Sequence, residues 1–301
     1  IAYALPLEQN QWWIHSSTQH PGEVQHWVAH ALGIDNHAVT VQCRRMGGGF
    51  GGKETQAGHL AVWSAVAAHK FGAPVKLRLD RDDDFLVTGK RHPFSYDYEV
   101  GFDGRGRITA LVLTMFANCG FSADLSGPVA DRAVFHCDNA YFLENVLVAS
   151  YRCKTNTQSH TAFRGFGGPQ GVIAIERILG DIAGALGLAT TEELKGTKVL
   201  ILLGEHFAHD TTGVDVIAIA AHERATAGHD VDAAVDVRMA NLYSDEPLAD
   251  GKGKRDTTHY QMQVEDNILH ALLPELEQTC NYRARATEIA AWNARQTALR
   301  R

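Results

Sequence analysis

The sequence predicts an α+β domain, and three observations carry that prediction. Strand-like and helix-like segments mix without the strict β-α alternation of a doubly wound sheet. Two long alternating segments, residues 94–102 and 108–116, meet at Asp103-Gly104-Arg105-Gly106, a hairpin signal. A dense glycine cluster at residues 46–54 separates a strand-like run from a helix-like one.

The elements follow in order. Residues 21–32 form a helix, with Pro21 in its first turn and Gly33 just past its end. Residues 38–43 alternate as a strand and residues 55–69 are helical, so the glycine cluster sits at a strand-to-helix junction. Residues 75–79 make a short strand, and 80–84 an acidic surface turn. A further strand covers 147–153. The apolar-periodic helix 170–186 follows a second glycine-rich loop, so its N-terminus points at that loop and favours an anionic ligand. Residues 199–203 are strand-like and 214–226 helix-like, and a second short strand-like piece completes a β-α-β-like unit. Two more helices are expected at 264–277 and 281–299.

Composition narrows the function classes. A net charge of −7 argues against nucleic-acid binding. The most apolar stretch, residues 198–204, is strand-length, so no membrane span is expected. The five cysteines contain no C-x-x-C pair, so neither a zinc site nor an iron–sulfur cluster is legible. Their odd number, without a secretion signal, suits a reducing, cytoplasmic setting, and most are expected to be small buried hydrophobes. His26 and His30 stand four apart, but no H-E-x-x-H frame surrounds them. The chain begins at Ile1 without methionine, which suggests an N-terminus cut from something longer.

The glycine cluster reads Met46-Gly47-Gly48-Gly49-Phe50-Gly51-Gly52-Lys53-Glu54. Packed helices and strands disfavour so many glycines, whereas a backbone that must approach a ligand or take positive φ requires them. A packing turn is the plainest alternative. Gly47-x-Gly49-x-x-Gly52 also fits a dinucleotide fingerprint, and Gly47-x-x-x-x-Gly52-Lys53 most of a P-loop. Glu54 stands where a P-loop needs Ser or Thr, and would repel phosphates. The acidic residue that a dinucleotide fold places about 20 residues on would fall inside an apolar helix.

Residues 42–54 resemble the molybdenum-cofactor loop of the xanthine dehydrogenase and xanthine oxidase family. Three more segments agree in order and spacing. Ser16-Ser17-Thr18-Gln19 resembles the family's glutamine segment, residues 131–139 its substrate-arginine segment, and residues 161–170 its second glycine-rich loop. The resemblance covers residues 1–188 and resumes over 234–301, leaving 189–233 as an insertion of β-α-β character without an expected catalytic role. It divides the chain into a first part of the molybdopterin- and substrate-binding domain, the insertion, and a helical continuation that stops before the domain's second half.

The resemblance implies hydroxylation of hypoxanthine or xanthine to urate, with water as the oxygen source and molybdenum-molybdopterin as cofactor. It places Gln19, Gly49, Phe50, Gly51, Ala162, Phe163 and Arg164 against that cofactor, with Gln19, Phe50 and Arg164 near the metal. An amide such as that of Gln19 is suited to donate to a metal oxo group. Glu54, Arg132 and Phe166 match the substrate residues. A carboxylate can bond ring nitrogens, a guanidinium can stabilise charge on an exocyclic oxygen, and an aromatic ring can stack on the purine. The related aldehyde oxidases carry apolar residues at both charged positions, so Glu54 and Arg132 together favour a purine over an aldehyde.

The resemblance also has gaps. The family's general-base glutamate lies in a Gly-Glu-Pro-Pro context, and the only Glu-Pro here is Glu246-Pro247. No catalytic base is therefore expected within these residues, and a truncated, non-catalytic assembly piece stands as the alternative. The 2Fe-2S clusters and FAD that remove electrons are expected on other modules or on a partner subunit, giving a hetero-oligomer.

Overall fold

The computed structural model describes residues 1–188, 199–200, 231–248, 251–265, 267–293 and 295. It is an α+β arrangement of two four-stranded sheets, each covered by helices.

The first sheet holds β1 (Ala2–Pro6), β2 (Trp12–Ser16), β3 (Val39–Gln42) and β4 (Val75–Leu77) in the order β3-β2-β1-β4. β1 pairs antiparallel with β2 and β4, and β2 runs parallel to β3. Alternation places Ala2, Ala4, Trp12 and Ile14 on the buried face. Against them pack helices α1 (Pro21–Leu32) and α2 (Ala57–Phe71) through Val24, Val28, Ala61, Ala65 and Ala68. Small residues bring α2 close; a Cβ at Gly58 would overlap the Trp27 indole. α1 ends as its sequence predicts, on left-handed Gly33, while α2 runs two residues past the expected 69 and ends on left-handed Gly72.

The acidic stretch at 80–84 corrects the expectation of a turn. It begins α3 (Arg81–Val87), whose first turn holds Asp82, Asp83 and Asp84. Asp80 caps this helix by accepting from the Asp83 N–H at 2.9 Å, and carboxylates favour a helix start.

The second sheet holds β5 (Phe94–Phe102), β6 (Ile108–Gly120), β7 (Val146–Lys154) and the two-residue β8 (Val199–Leu200), in the order β7-β6-β5-β8. The 103–106 hairpin forms as expected, with a register shift at Gly101/Phe102. Helices α4 (Ser126–Phe135) and α5 (Gly168–Leu188) cover this sheet. Leu111, Leu113 and Met115 of β6 meet Ile175, Ile178, Leu179 and Ile182 of α5 in the larger core. Each such side chain contributes about 1.5–3 kcal/mol on burial.

Helix α6 (Val231–Asn241) returns the chain to α5, where Arg238 pairs with Glu176 at 2.7 Å. α7 (Leu269–Cys280) starts later than expected, since residues 264, 265, 267 and 268 are not helical, and α8 (Tyr282–Asn293) follows a left-handed Asn281. Apart from β8, most of the 189–233 insertion lies outside the described residues. Only Cys119 and Cys137 are fully buried; Cys43, Cys153 and Cys280 are partly exposed, against the expectation for most of them.

Candidate cofactor site

Two glycine-rich turns have the same shape. In Gly49-Phe50-Gly51-Gly52 the Gly52 N–H donates to the Gly49 carbonyl at 2.9 Å, with φ of 49° at Phe50 and 91° at Gly51. In Gly165-Phe166-Gly167-Gly168 the Gly168 N–H donates to the Gly165 carbonyl at 2.9 Å, with φ of 47° at Phe166 and 95° at Gly167. Both have the two positive φ angles of a type I′ turn, and both place a phenylalanine where an L-residue is strained. The Phe50 ring is 67% exposed, so packing within the described residues does not offset that strain.

The two segments touch where Gly51 meets Ala162. A Cβ at Gly51 would stand 3.0 Å from the Ala162 carbonyl carbon and 3.1 Å from its oxygen. The second segment is fixed from behind. His160 N–H donates to the Cys119 carbonyl at 3.1 Å, and Thr161 N–H to the Lys90 carbonyl at 3.0 Å. Glycines admit close backbone contacts here: a Cβ at Gly167 would overlap the Val129 carbonyl of α4, and one at Gly171 the Ala133 carbonyl. The arginine-bearing helix therefore buttresses the second turn directly.

Gln19 locks the first turn. Its Oε1 accepts from Gly51 N–H at 2.9 Å and Lys53 N–H at 3.3 Å, and its own N–H donates to the Lys53 carbonyl at 2.8 Å. A Cβ at Gly49 would overlap this carboxamide. With the oxygen engaged, the side chain presents its NH2 as a donor that has no partner among the described residues.

A polar network ties the bases of the two segments together. Thr55 Oγ1 lies 3.0 Å from Thr161 Oγ1 and donates to Asp124 Oδ2 at 3.0 Å. Gln56 donates to the same Asp124 oxygen at 2.6 Å and accepts from Gly89 N–H at 2.7 Å. Sequence reasoning missed Thr55, Gln56, Asp124 and Thr161. Thr55 and Thr161 border the two matched segments, a usable signal, whereas Asp124 announces itself only through its φ of 41°.

Arg91 was missed as well. Its guanidinium stacks 4.6 Å over the Phe163 ring and donates to the Arg164 carbonyl at 2.8 Å, while Nη1 is buried without a partner. Burial lowers its pKa. Beneath it His92 bonds Ser126 Oγ at 2.7 Å, and burial, helped by the neighbouring His160, pushes its pKa from 6.5 down to about 4.

The substrate residues are less closely joined. Glu54 is half-buried and Arg132 lies on the exposed side of α4, donating to His136 Nε2 at 3.3 Å. No hydrogen bond or ion pair connects Glu54 to Arg132 among the described residues. Elsewhere, Cys137 Sγ lies 3.9 Å from His259 Nε2, whose Nδ1 is 3.3 Å from Asp138, but burial pushes the thiol up to about 12, which favours the neutral thiol.

Residues 1–194 match the family model described as the molybdopterin cofactor-binding domain. The chain belongs to that family. It is 37% identical over 292 residues to the xanthine dehydrogenase of Drosophila subobscura, which takes in 97% of this chain and 18% of that protein. It is 46% identical over 192 residues to the xanthine dehydrogenase of Calliphora vicina, covering 64% of this chain and 14% of that one. The chain thus spans under a fifth of these relatives' length. Among solved structures, quinoline 2-oxidoreductase from Pseudomonas putida 86 superposes with a TM-score of 0.66 at 20% identity, over 98% of this chain and 31% of that chain. The aldehyde oxidoreductase of Desulfovibrio gigas gives 0.62 at 20% identity, over 94% and 26%. These last two likenesses establish the fold.

The residues present fit a molybdopterin. A Cβ at Gly49 would overlap the Gln19 carboxamide and one at Gly51 would press on Ala162, so the turn needs both glycines, and the backbone amides of Phe50, Phe163 and Arg164 have no partner among the described residues. Arg91 adds a half-buried cation, its Nη1 unpartnered, that makes no ion pair among the described residues. Such a surface suits a polar, anionic group that approaches backbone closely.

Proposed function

We propose that this chain supplies one wall of the active site of a molybdenum hydroxylase acting on a purine of the xanthine type. The observation that carries the reading is the contact of the first Gly-Phe-Gly-Gly turn, at Gly51, with Ala162 of the segment that leads into the second, with the Gln19 NH2 beside it unpartnered among the described residues. Relatives named xanthine dehydrogenase support the substrate class.

When bound, the molybdenum cofactor supplies oxygen transfer and accepts the electrons. The chain's own residues bind and orient. Gln19 Nε2 and the backbone amides of Phe50, Phe163 and Arg164 would hold the cofactor, offering it donors that have no partner among the described residues. Glu54 bonds ring nitrogens of the purine. Arg132 stabilises charge developing on an exocyclic oxygen, with His136 steering its guanidinium. Phe166, half-buried in its strained turn, offers a face for the ring. The general base comes from sequence outside residues 1–301, and the 2Fe-2S clusters and FAD from other modules or a partner subunit, in the cytoplasm.

Glu54→Ala and Arg132→Ala in the complete enzyme test this reading. Each should lower xanthine turnover by roughly 10²-fold or more while leaving molybdenum content intact. Unchanged kinetics in both variants would remove the purine assignment, and an aldehyde substrate would then be the reading to test.

A further inference from the structure

Three of the four sheet edges are short: β3, β4 and β8 have four, three and two residues. The fourth, β7, has nine, and its outer side pairs with nothing among the described residues. Proteins normally blunt a long edge with a charge, a proline or a bulge. Residues 145–151 read Asn-Val-Leu-Val-Ala-Ser-Tyr, without charge or proline, and pair with β6 in unbroken register.

The ladder fixes which groups face outward. β7 runs parallel to β6 with Val146 opposite Leu111, and the Leu111 N–H donates to the Asn145 carbonyl at 2.8 Å. Bonding residues alternate along a parallel strand, so the odd-numbered residues of β7 turn their amides to β6. Val146, Val148, Ser150 and Arg152 therefore aim N–H and C=O away from the sheet. The side chains alternate too. Val146, Val148 and Ser150 lie opposite Leu111, Leu113 and Met115, on the face that α5 covers. Leu147, Ala149 and Tyr151 stand on the other face, beside Val112, Thr114 and Phe116. That face is apolar and open: Leu147 is 64% and Tyr151 56% exposed, and the Tyr151 ring stacks on Phe116 at 5.5 Å.

This edge is complementary to itself. A closed two-fold pair sets β7 antiparallel to its copy, and its hydrogen bonds require even residues opposite even ones. Centring the axis on Ala149 meets that condition. It sets Leu147 against Tyr151 twice, and brings Lys154 of one copy towards Glu144 of the other. Centring on Val148 would face Tyr151 with Asn145, and centring on Ser150 would face Leu147 with Cys153 and Lys154 with Val146. Only the Ala149 register pairs the two large apolar side chains with each other.

We infer that β7 is a self-association edge, at which a second copy of this chain pairs antiparallel about Ala149 and joins two four-stranded sheets into one of eight strands. The inference is independent of the molybdenum reading.

The test is sedimentation velocity of the 301-residue chain, which should show a species at twice the 32.9 kDa monomer that dissociates on dilution. Ala149→Lys sets two like charges face to face at the axis, on an open sheet face, and should weaken the dimer by about tenfold or more. Ser150→Pro removes an outward N–H that symmetry uses twice, spares the bonds to β6, and should give a monomer with the parent's circular dichroism. Ala149→Cys brings two Cα atoms to about 4.5 Å, within disulfide reach. Mild oxidation should therefore cross-link it above the parent's own background, while Tyr151→Cys, out of register with itself, should stay at background. A parent chain that is monomeric at every concentration overturns the inference and gives the edge to another strand of the complete enzyme. So do open-ended oligomers, which a closed two-fold pair does not form. A dimer that survives Ala149→Lys, or that fails to cross-link in Ala149→Cys, overturns the register and with it the assignment of this edge.

Discussion

Gln19 and Gly51 are joined by a bond from the glycine N–H to the side-chain oxygen at 2.9 Å, and that bond decides which end of the amide is offered outward. Structural and functional roles therefore separate by substitution. Gln19→Glu keeps the acceptor and loses the donor, so its urea midpoint should stay within about 1 kcal/mol of the parent's. Gln19→Ala loses the bonds to both Gly51 and Lys53 and should cost about 1–3 kcal/mol. In the complete enzyme both variants should lose turnover. Full activity in the glutamate variant would show that the NH2 is not used.

Gly51 is required twice over, by its φ of 91° and by its contact with Ala162. Gly51→Ala should destabilise the chain by about 1–3 kcal/mol and loosen the second loop, read as faster amide exchange at Phe163 and Arg164. Phe50 gives the contrasting case. Its exposed ring sits at φ 49°, so Phe50→Gly should leave stability unchanged or raise it by about 1 kcal/mol. A large loss on Phe50→Gly would mean that the ring packs within this chain after all.

His92 makes stability depend on pH. Its folded pKa is about 4, below the ordinary 6.5, so the fold prefers the neutral ring and the unfolded chain binds the proton first. The stabilisation is complete above about pH 6.5 and is lost as pH falls through about 4. Over that window the loss reaches about 3 kcal/mol at most, at 1.36 kcal/mol per unit. His160, also lowered by burial, acts in the same direction. Denaturation midpoints measured from pH 7.5 to 4.5 should fall, and His92→Gln should flatten the slope. An unaltered slope in that variant would remove His92 as the cause.

The sequence made some parts of this molecule legible and hid others for physical reasons. The helices around Val28 and Ile178 were readable because one buried stripe repeats at the helical period, and the hairpin because Gly104 and Gly106 mark its turn. The short strands at residues 2–6 and 12–16 were not, since two or three inward residues each give little periodicity. Helix α4 was hidden by Gly127 and Pro128 in its first turn. The glycines of both loops were recognisable as a class, but the mirrored turn geometry and the Ala162 contact depend on long-range packing. Arg91 looked like any surface cation, and only the fold places it over the Phe163 ring. The acids at 80–84 misled because a capped helix start and a solvated turn have the same composition.

Whether the segment after residue 230 folds with the first part turns on Asn241, a fully buried side chain with every group bonded. Its Oδ1 accepts from Ile108 N–H at 2.8 Å, and its Nδ2 donates to the Gly106 and Val237 carbonyls, both at 2.8 Å. It therefore stitches the end of α6 to the hairpin between β5 and β6, a link spanning more than 130 positions of sequence. Asn241→Ala would strand one N–H and one carbonyl of that hairpin in a dry interior, at a cost of about 2–4 kcal/mol. Asn241→Asp keeps the Ile108 bond but sets a carboxylate oxygen against the two carbonyls, so it should cost as much or more. Urea unfolding should remain a single transition in the parent chain and shift to lower urea in both variants. Parent-like midpoints would mean that α6 docks without this residue, and that residues 231–293 form a separately stable unit.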